Sequence, residues 1–364
     1  MHIPDEIVGQ GEAVRLLGRE MASGKMSHAY LLWGPRGSGK MALARRLALA
    51  ANCTPSAARG GASGGAQSGE DAPLRYCGEC PNCEKIAKGV HPDVRVVAPE
   101  GDTIKIGQIR EMKWRIALKP NEASIKTWII DDADRMTEEA QNCLLKVLEE
   151  PPGDSLIILL SEDPGMMLPT ISSRCHEVRL NAVGITELAE WAEAEFDIEP
   201  QRAKLLATLS EGRPGRVAAL AGDDEYFKVR DRIISTVRRV VLCGDGSEAL
   251  AASEDLLDQL KKAYTQAMDG GGSPELLEIS SSMGACDLMA GWFRDLFILS
   301  ITGDESLIIN LDHIMDIRQD AARIEASLLS RWAVKAMQTA QALRKSANPR
   351  LAMDDLFLSL ALRE

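Results

Sequence analysis

At 364 residues the chain is long enough for two or three domains, and its 45% hydrophobic content with only 4% aromatic residues suits helices built on Leu, Ala, Ile and Met. A net charge of −12 makes it a poor stand-alone binder of nucleic acid, because phosphate contacts need a basic patch. No apolar run approaches a membrane span and Met1 to Glu6 hold no basic segment ahead of an apolar one, so a cytoplasmic protein without a membrane partner is expected. Thiols stay reduced there, and eight cysteines then point to a metal site more than to disulfides.

In chain order, Val14, Leu16, Leu17 and Met21 lie roughly on one helix face. Ala29 to Trp33 reads as an apolar strand, and a helix from the following glycine loop runs to about Ala51, with Arg45 and Arg46 free to face water. Residues 54–73 are then dominated by Gly, Ser and Ala with no apolar period, the composition of a flexible insertion. Strand signals resume at Val94 to Val97. Ile109, Met112 and Ile116 mark an amphipathic helix over 107–118 that ends before Pro120. Lys126 to Asp131 reads as a buried strand with an acidic end. Residues 137–149 read as a helix with Ala140, Cys143, Leu144, Val147 and Leu148 on one face, stopped by Pro151-Pro152. Leu156 to Leu160 is a continuous apolar run, as a central parallel strand requires, and His176 to Leu180 is a shorter last strand. The alternation predicts an α/β domain, a parallel sheet with helices on both faces. After Gly184 strand signals stop. Helices fit 185–196 and 199–210, another begins at the Gly212–Gly215 turn, and 223–364 reads as helical, broken at Gly244–Gly246, Gly270–Pro274 and Asn348-Pro349.

Three groups of residues carry chemistry. Gly34, Pro35, Arg36, Gly37, Ser38, Gly39 and Lys40 follow the first strand and open a helix, the G-x-x-x-x-G-K layout in which backbone N–H groups and a helix N-terminus cradle phosphate. The next residue should be Ser or Thr to ligate Mg²⁺; it is Met41, whose thioether is a poor ligand for a hard cation. Asp131-Asp132 ends a strand about 90 residues later, where Asp131 would hold Mg²⁺ and the next residue, normally Glu, would orient the attacking water. Asp132 is one methylene short of that Glu. Helix capping by these acids is the bland alternative. Cys53, Cys77, Cys80 and Cys83 fall within 31 residues, a soft ligand set suited to structural, tetrahedral Zn²⁺; an iron–sulfur cluster and free thiols are the alternatives. Arg174, just before the last strand, is either a surface ion pair or an arginine that reaches a neighbouring subunit's γ-phosphate. His91 reads as a packing residue rather than a fifth metal ligand.

Together, Ser27 to Lys40, the cysteine cluster with Gly89-Val90-His91-Pro92-Asp93, Leu144 to Pro152, and Ser173-Arg174-Cys175 resemble the AAA+ clamp loaders of bacterial DNA replication. The resemblance covers about residues 6–180 and extends to both the ATP-hydrolysing gamma/tau and the delta-prime types. Ile104 to Glu111 and the Asp131-Asp132 pair look delta-prime-like. It implies a nucleotide-binding-like domain over 1–180 with a zinc insert at about 53–90, a helical lid over 181–222 and a helical oligomerisation collar over 223–364. It also implies phosphate binding by Gly34, Gly37, Ser38, Gly39, Lys40 and Met41, structural zinc on Cys53, Cys77, Cys80 and Cys83, and catalytic positions at Asp131, Asp132 and, in trans, Arg174. A polar γ-phosphate sensor falls at Ser161 or Glu162, and a second, arginine sensor near Arg216. Implied partners are gamma/tau and delta subunits in a hetero-pentameric ring, the sliding clamp, and primed DNA through the assembly. The chain would then be part of DNA polymerase III, a nucleotidyltransferase, with an ATPase of its own that is degenerate at Met41 and Asp132. The rival readings are an active gamma-like ATPase using ATP and Mg²⁺, and a zinc-dependent DNA-binding module.

Overall fold

The structure is a computed structural model describing residues 7–54 and 74–363. The Gly/Ser/Ala-rich stretch at 54–73 therefore lies, apart from Thr54, outside the described residues. The chain divides into two compact units, Met1–Leu188 with Glu211–Gly215, and Ala189–Ser210 with Arg216–Glu364.

The first unit contains α1 (Gly11–Ala22), β1 (Ala29–Trp33), α2 (Lys40–Asn52), α3 (Pro81–Ala87), β2 (Val94–Val97), α4 (Ile106–Ile116), β3 (Lys126–Ile130), α5 (Glu138–Glu149), β4 (Ser155–Ser161), α6 (Pro169–Ser172) and β5 (His176–Arg179). Its strands form one sheet in the order β2-β3-β4-β1-β5, and every ladder is parallel. Leu31 sits between Leu159 and Glu177, and Ile130 between Val97 and Leu159. Side chains alternate across the sheet. Leu31, Ile130, Ile157 and Leu159 pack on one face under Ile109 and Met112 of α4 and Leu144 and Val147 of α5. Leu32, Ile129, Ile158 and Leu160 pack on the other under Leu17 of α1 and Leu43 and Leu47 of α2. The central strands are thus buried on both sides, which is why they read as unbroken apolar runs.

Several local expectations shift. Leu16 is exposed, because α1 buries the stripe through Ala13 and Leu17, one position away. Arg45 and Arg46 are half-buried rather than solvated; the Arg46 guanidinium donates to the Leu74 carbonyl. The acidic-ended strand stops at Ile130 and the last strand at Arg179, each one residue early, and α4 stops at Ile116.

Asp93 fastens the loop that feeds β3. Its buried carboxylate accepts N–H bonds from Asn121, Glu122 and Ala123 at 2.8–3.0 Å. The ammonium of Lys126, also buried, lies 4.0 Å away and caps the carbonyls of Arg115, Leu118 and Lys119 at the end of α4. Asn52, the last residue of α2, adds a bond from the Ile125 N–H at 2.9 Å. One buried polar cluster therefore ties α2, α4 and β3 together.

The second unit takes most of α7 (Ile185–Phe196) and α9 (Pro214–Ala221) and all of α8 (Pro200–Leu209), α10 (Asp224–Cys243), α11 (Gly246–Gly270), α12 (Pro274–Ile279), α13 (Ser282–Thr302), α14 (Ile314–Ala321), α15 (Ala326–Arg344) and α16 (Pro349–Ala361). Trp292, Phe293, Trp332 and Phe357 are fully buried there. Three breaks have no mark in the sequence reading: at Ser280-Ser281, after Gly303, and at 322–325 between α14 and α15. Ser281 caps α13 by accepting the Gly284 N–H, and Gly303 ends α13 in the left-handed region. The segment after Gly303 is held from beneath. Asp295 accepts N–H bonds from Ile309 and Asn310, and buried Arg230 donates to Asn310 and Asp312 at 2.6 and 2.9 Å. Among the described residues no helix is long and apolar enough to cross a membrane.

Replacing Asp93 by Ala would take the acceptor from the N–H groups of the part-exposed 121–123 loop and the counter-ion from buried Lys126, and should cost on the order of 3 kcal/mol in urea unfolding. Burial pushes the Asp93 carboxyl up, but its three backbone donors and Lys126 outweigh burial and hold it below the usual carboxylate range. Its stabilisation is thus complete above about pH 4 and is lost as pH falls further toward the depressed native value. The wild type should weaken over that window more steeply than Asp93→Ala.

Candidate functional site

The glycine loop runs from the C-terminal end of β1 into the N-terminus of α2. Gly34 must be glycine: a Cβ there would lie 2.1 Å from the Leu180 carbonyl oxygen. Its N–H donates to the carbonyl of Ser161, the last residue of β4. Gly39 caps α2 with φ +97, a conformation that favours glycine. The Gly37 carbonyl accepts the Gly215 N–H at 2.9 Å, so the chain returning at 211–215 braces the loop. Lys40 is buried and donates to the carbonyls of Gly34 and Pro35 at 2.7 and 3.0 Å. Burial lowers its pKa, opposed by Glu162, Asp132, Asp131 and Asp134.

Two hydroxyls beside this loop, Ser38 Oγ and Ser161 Oγ, are buried without a hydrogen-bond partner. Such orphans cost free energy unless a polar group meets them. With the loop, Lys40 and the start of α2, they fit a phosphate. They also favour buried Ser161 over exposed Glu162 as the sensor position. A polar residue closing the apolar β4 run was the only sequence signal for it. Arg216 belongs to the second unit, where its Nε is buried and unpartnered.

The metal side of the pocket is weaker. Met41 packs into the apolar cluster of Leu43, Leu47 and Leu160 beneath the sheet, so its side chain serves the core. Asp131 does stand at the C-terminal end of β3, tied by its N–H to Val97. Burial and the adjacent Asp132 raise its pKa, and Lys40 and Arg36 oppose that rise. Asp132 adopts φ +48 and turns toward Arg135, 3.7 Å away. The hydroxyl ligand expected at position 41 is thus absent, while Asp131 and Asp132 both act on Lys40, and the residues present fit phosphate better than its metal.

The four predicted cysteines converge. The sulfurs of Cys53, Cys77, Cys80 and Cys83 all lie within 4.8 Å of one another, and Cys77 and Cys83 are 4.0 Å apart. Four sulfurs around one tetrahedral zinc at about 2.3 Å would be about 3.8 Å apart. Backbone N–H groups of Cys77, Cys80 and Cys83 point at the sulfurs of Cys53, Cys77 and Cys80 at 3.3–3.5 Å, which orients the sulfurs toward one another. The set fits a structural metal with no open position. His91 is not a ligand: its Nδ1 accepts the Asp93 N–H, and Nε2 faces Asn82 Oδ1 at 3.3 Å.

Arg174 is part-exposed at the start of β5, the opposite edge of the sheet from the glycine loop. Its guanidinium donates to the Thr170 carbonyl at 2.9 Å and pairs with Glu149 at 2.8 Å. The structure therefore brings together the loop, Lys40, Asp131 and Asp132, and separately the four cysteines, but leaves Arg174 away from both.

Residues 9–184 match a family described as DNA polymerase III, delta subunit. The chain is 28% identical to a DNA polymerase III subunit delta' of Bacillus subtilis over 96% of both chains. It is 33% identical to the subunit delta' of Pseudomonas aeruginosa over 62% of this chain and 65% of that one. It is also 29% identical to a DNA polymerase III subunit gamma/tau of Mycobacterium tuberculosis over 98% of this chain, which spans 60% of that longer protein.

Metal analysis of the purified chain should find one tightly held ion, and Cys83→Ala should lose it. Because the cysteines knit α2 to α3, removal by a chelator should lower Tm by several degrees. Unchanged metal content and Tm in the variant would count against the site.

Proposed function

The chain belongs to the family of DNA polymerase III delta-prime and gamma/tau subunits, and from that premise we propose that it is a delta-prime-like clamp-loader subunit that lends Arg174 to a neighbour's ATP site. In this reading its own ATPase is poor or absent, and it works inside a hetero-pentameric ring with gamma/tau and delta subunits. The ring loads the sliding clamp on primed DNA in the cytoplasm, as part of the DNA polymerase III holoenzyme. Residues 1–180 act as the nucleotide-binding-like domain with zinc on Cys53, Cys77, Cys80 and Cys83. Residues 181–222 act as a lid and 223–364 as the oligomerising collar. Exposed Met315, Met337 and Leu351 on the C-terminal helices are the kind of apolar surface such assembly uses.

One observation carries the reading: the retained arginine and the impaired metal site stand on opposite edges of one parallel sheet. Strands of five residues span about 16 Å, so Arg174 is out of reach of Lys40, and any phosphate it serves beyond its ion pair with Glu149 belongs to another chain. There its charge would stabilise that built up on a transferring γ-phosphoryl group. Met41 in the core, and Asp132 one methylene short of the expected Glu, support the loss of activity in cis.

Adding Arg174→Ala in place of wild type to the companion subunits should cut DNA-stimulated ATP turnover at the affected site by on the order of 100-fold or more. Assembly and metal content should be unchanged. Equal turnover with both chains would remove the trans role.

A further inference from the structure

We propose that Glu149 is a positioning residue that sets the plane and reach of the Arg174 guanidinium toward the neighbouring subunit's phosphate. The proposal rests on the trans role of Arg174 given above.

Glu149 is the last residue of α5, where the helix dipole disfavours an anion and the usual choice is Lys, Arg or His. Glu150 follows it and Pro151 ends any continuation, so two carboxylates crowd the negative end of one helix. That arrangement is unfavourable for α5 even with Lys146 in its last turn, and it favours a further cation nearby. Arg174 supplies it, with an Nη–Oε distance of 2.8 Å. The helix end is itself fixed: the Leu148 carbonyl lies 3.1 Å from His28 Nε2 at the foot of β1. On its other side the guanidinium is held by the Thr170 carbonyl of α6. The carbonyl engages one donor of the planar fork by a hydrogen bond and the carboxylate lies within ion-pair distance of a second nitrogen, so the guanidinium is biased toward one orientation before any partner arrives. Both side chains are part-exposed, at 35% and 48%, so the pair is open to exchange with an incoming phosphate rather than locked.

The test uses full-length chains assembled with the companion subunits: wild type, Glu149→Gln, Arg174→Ala and the double variant. Glu149→Gln should lower kcat for DNA-stimulated ATP turnover roughly two- to fivefold, the scale of a part-exposed ion pair, with KM for ATP and the chain's Tm unchanged. Glu149→Asp should restore part of the loss. The double variant should be no slower than Arg174→Ala, because the carboxylate acts only through the arginine. If Arg174→Ala slows turnover but Glu149→Gln matches wild type, or if the two losses multiply, the positioning role is overturned while the arginine's stands. If Arg174→Ala itself has no effect, the underlying reading fails.

Discussion

All five strands run the same way, so the sheet has two chemically unlike edges. At its C-terminal edge β1, β3 and β4 deliver the glycine loop, Asp131 and Ser161 to one pocket. At its N-terminal edge α5 and α6 deliver Glu149 and Arg174. The polarity of the sheet therefore separates the glycine-loop pocket from the Glu149–Arg174 pair. The buried cluster around Asp93, Lys126 and Asn52 keeps the elements in the register that this separation needs.

The pocket at the first edge is divided in its chemistry. The features that favour phosphate are intact: Gly34 and Gly39 in conformations that favour glycine, a buried ammonium, two orphan hydroxyls and a helix start. Those that favour a divalent cation lack the hydroxyl expected at position 41, and burial disfavours the ionised form of Asp131. Met41 explains how the change is tolerated. A Ser or Thr there would turn a hydroxyl toward a metal, whereas the thioether fills apolar space between α2 and the sheet and strengthens packing at the expense of chemistry.

The sequence made the first unit legible because both its main signals are local. Buried parallel strands give unbroken apolar runs, and G-x-x-x-x-G-K and C-x-x-C-x-x-C are short-range patterns. Cys53 was harder, because the 54–73 stretch separates it from its partners, yet the count of reduced cysteines still found it. What the sequence hid depends on pairings between distant residues: Asp93 with the 121–123 loop, His28 with the end of α5, Gly37 with Gly215, and Glu149 with Arg174. None has a periodic or compositional mark. In the C-terminal helices the breaks at 244–246, 270–274 and 348–349 were visible, but those at Ser280-Ser281, after Gly303 and at 322–325 were not: serine is ordinary in a helix until its hydroxyl is seen accepting an N–H bond, and a lone glycine marks a stop only once its left-handed conformation is seen.

Central to the proposed function is that this chain's own site hydrolyses nucleotide poorly or not at all. The most direct measurement is ATP turnover by the isolated full-length chain with saturating Mg²⁺, beside Lys40→Ala and the repaired double variant Met41→Thr, Asp132→Glu. The account requires wild type and Lys40→Ala to be equally inactive, with any gain confined to the repaired chain. Sustained turnover by the wild type, abolished by Lys40→Ala, would contradict it.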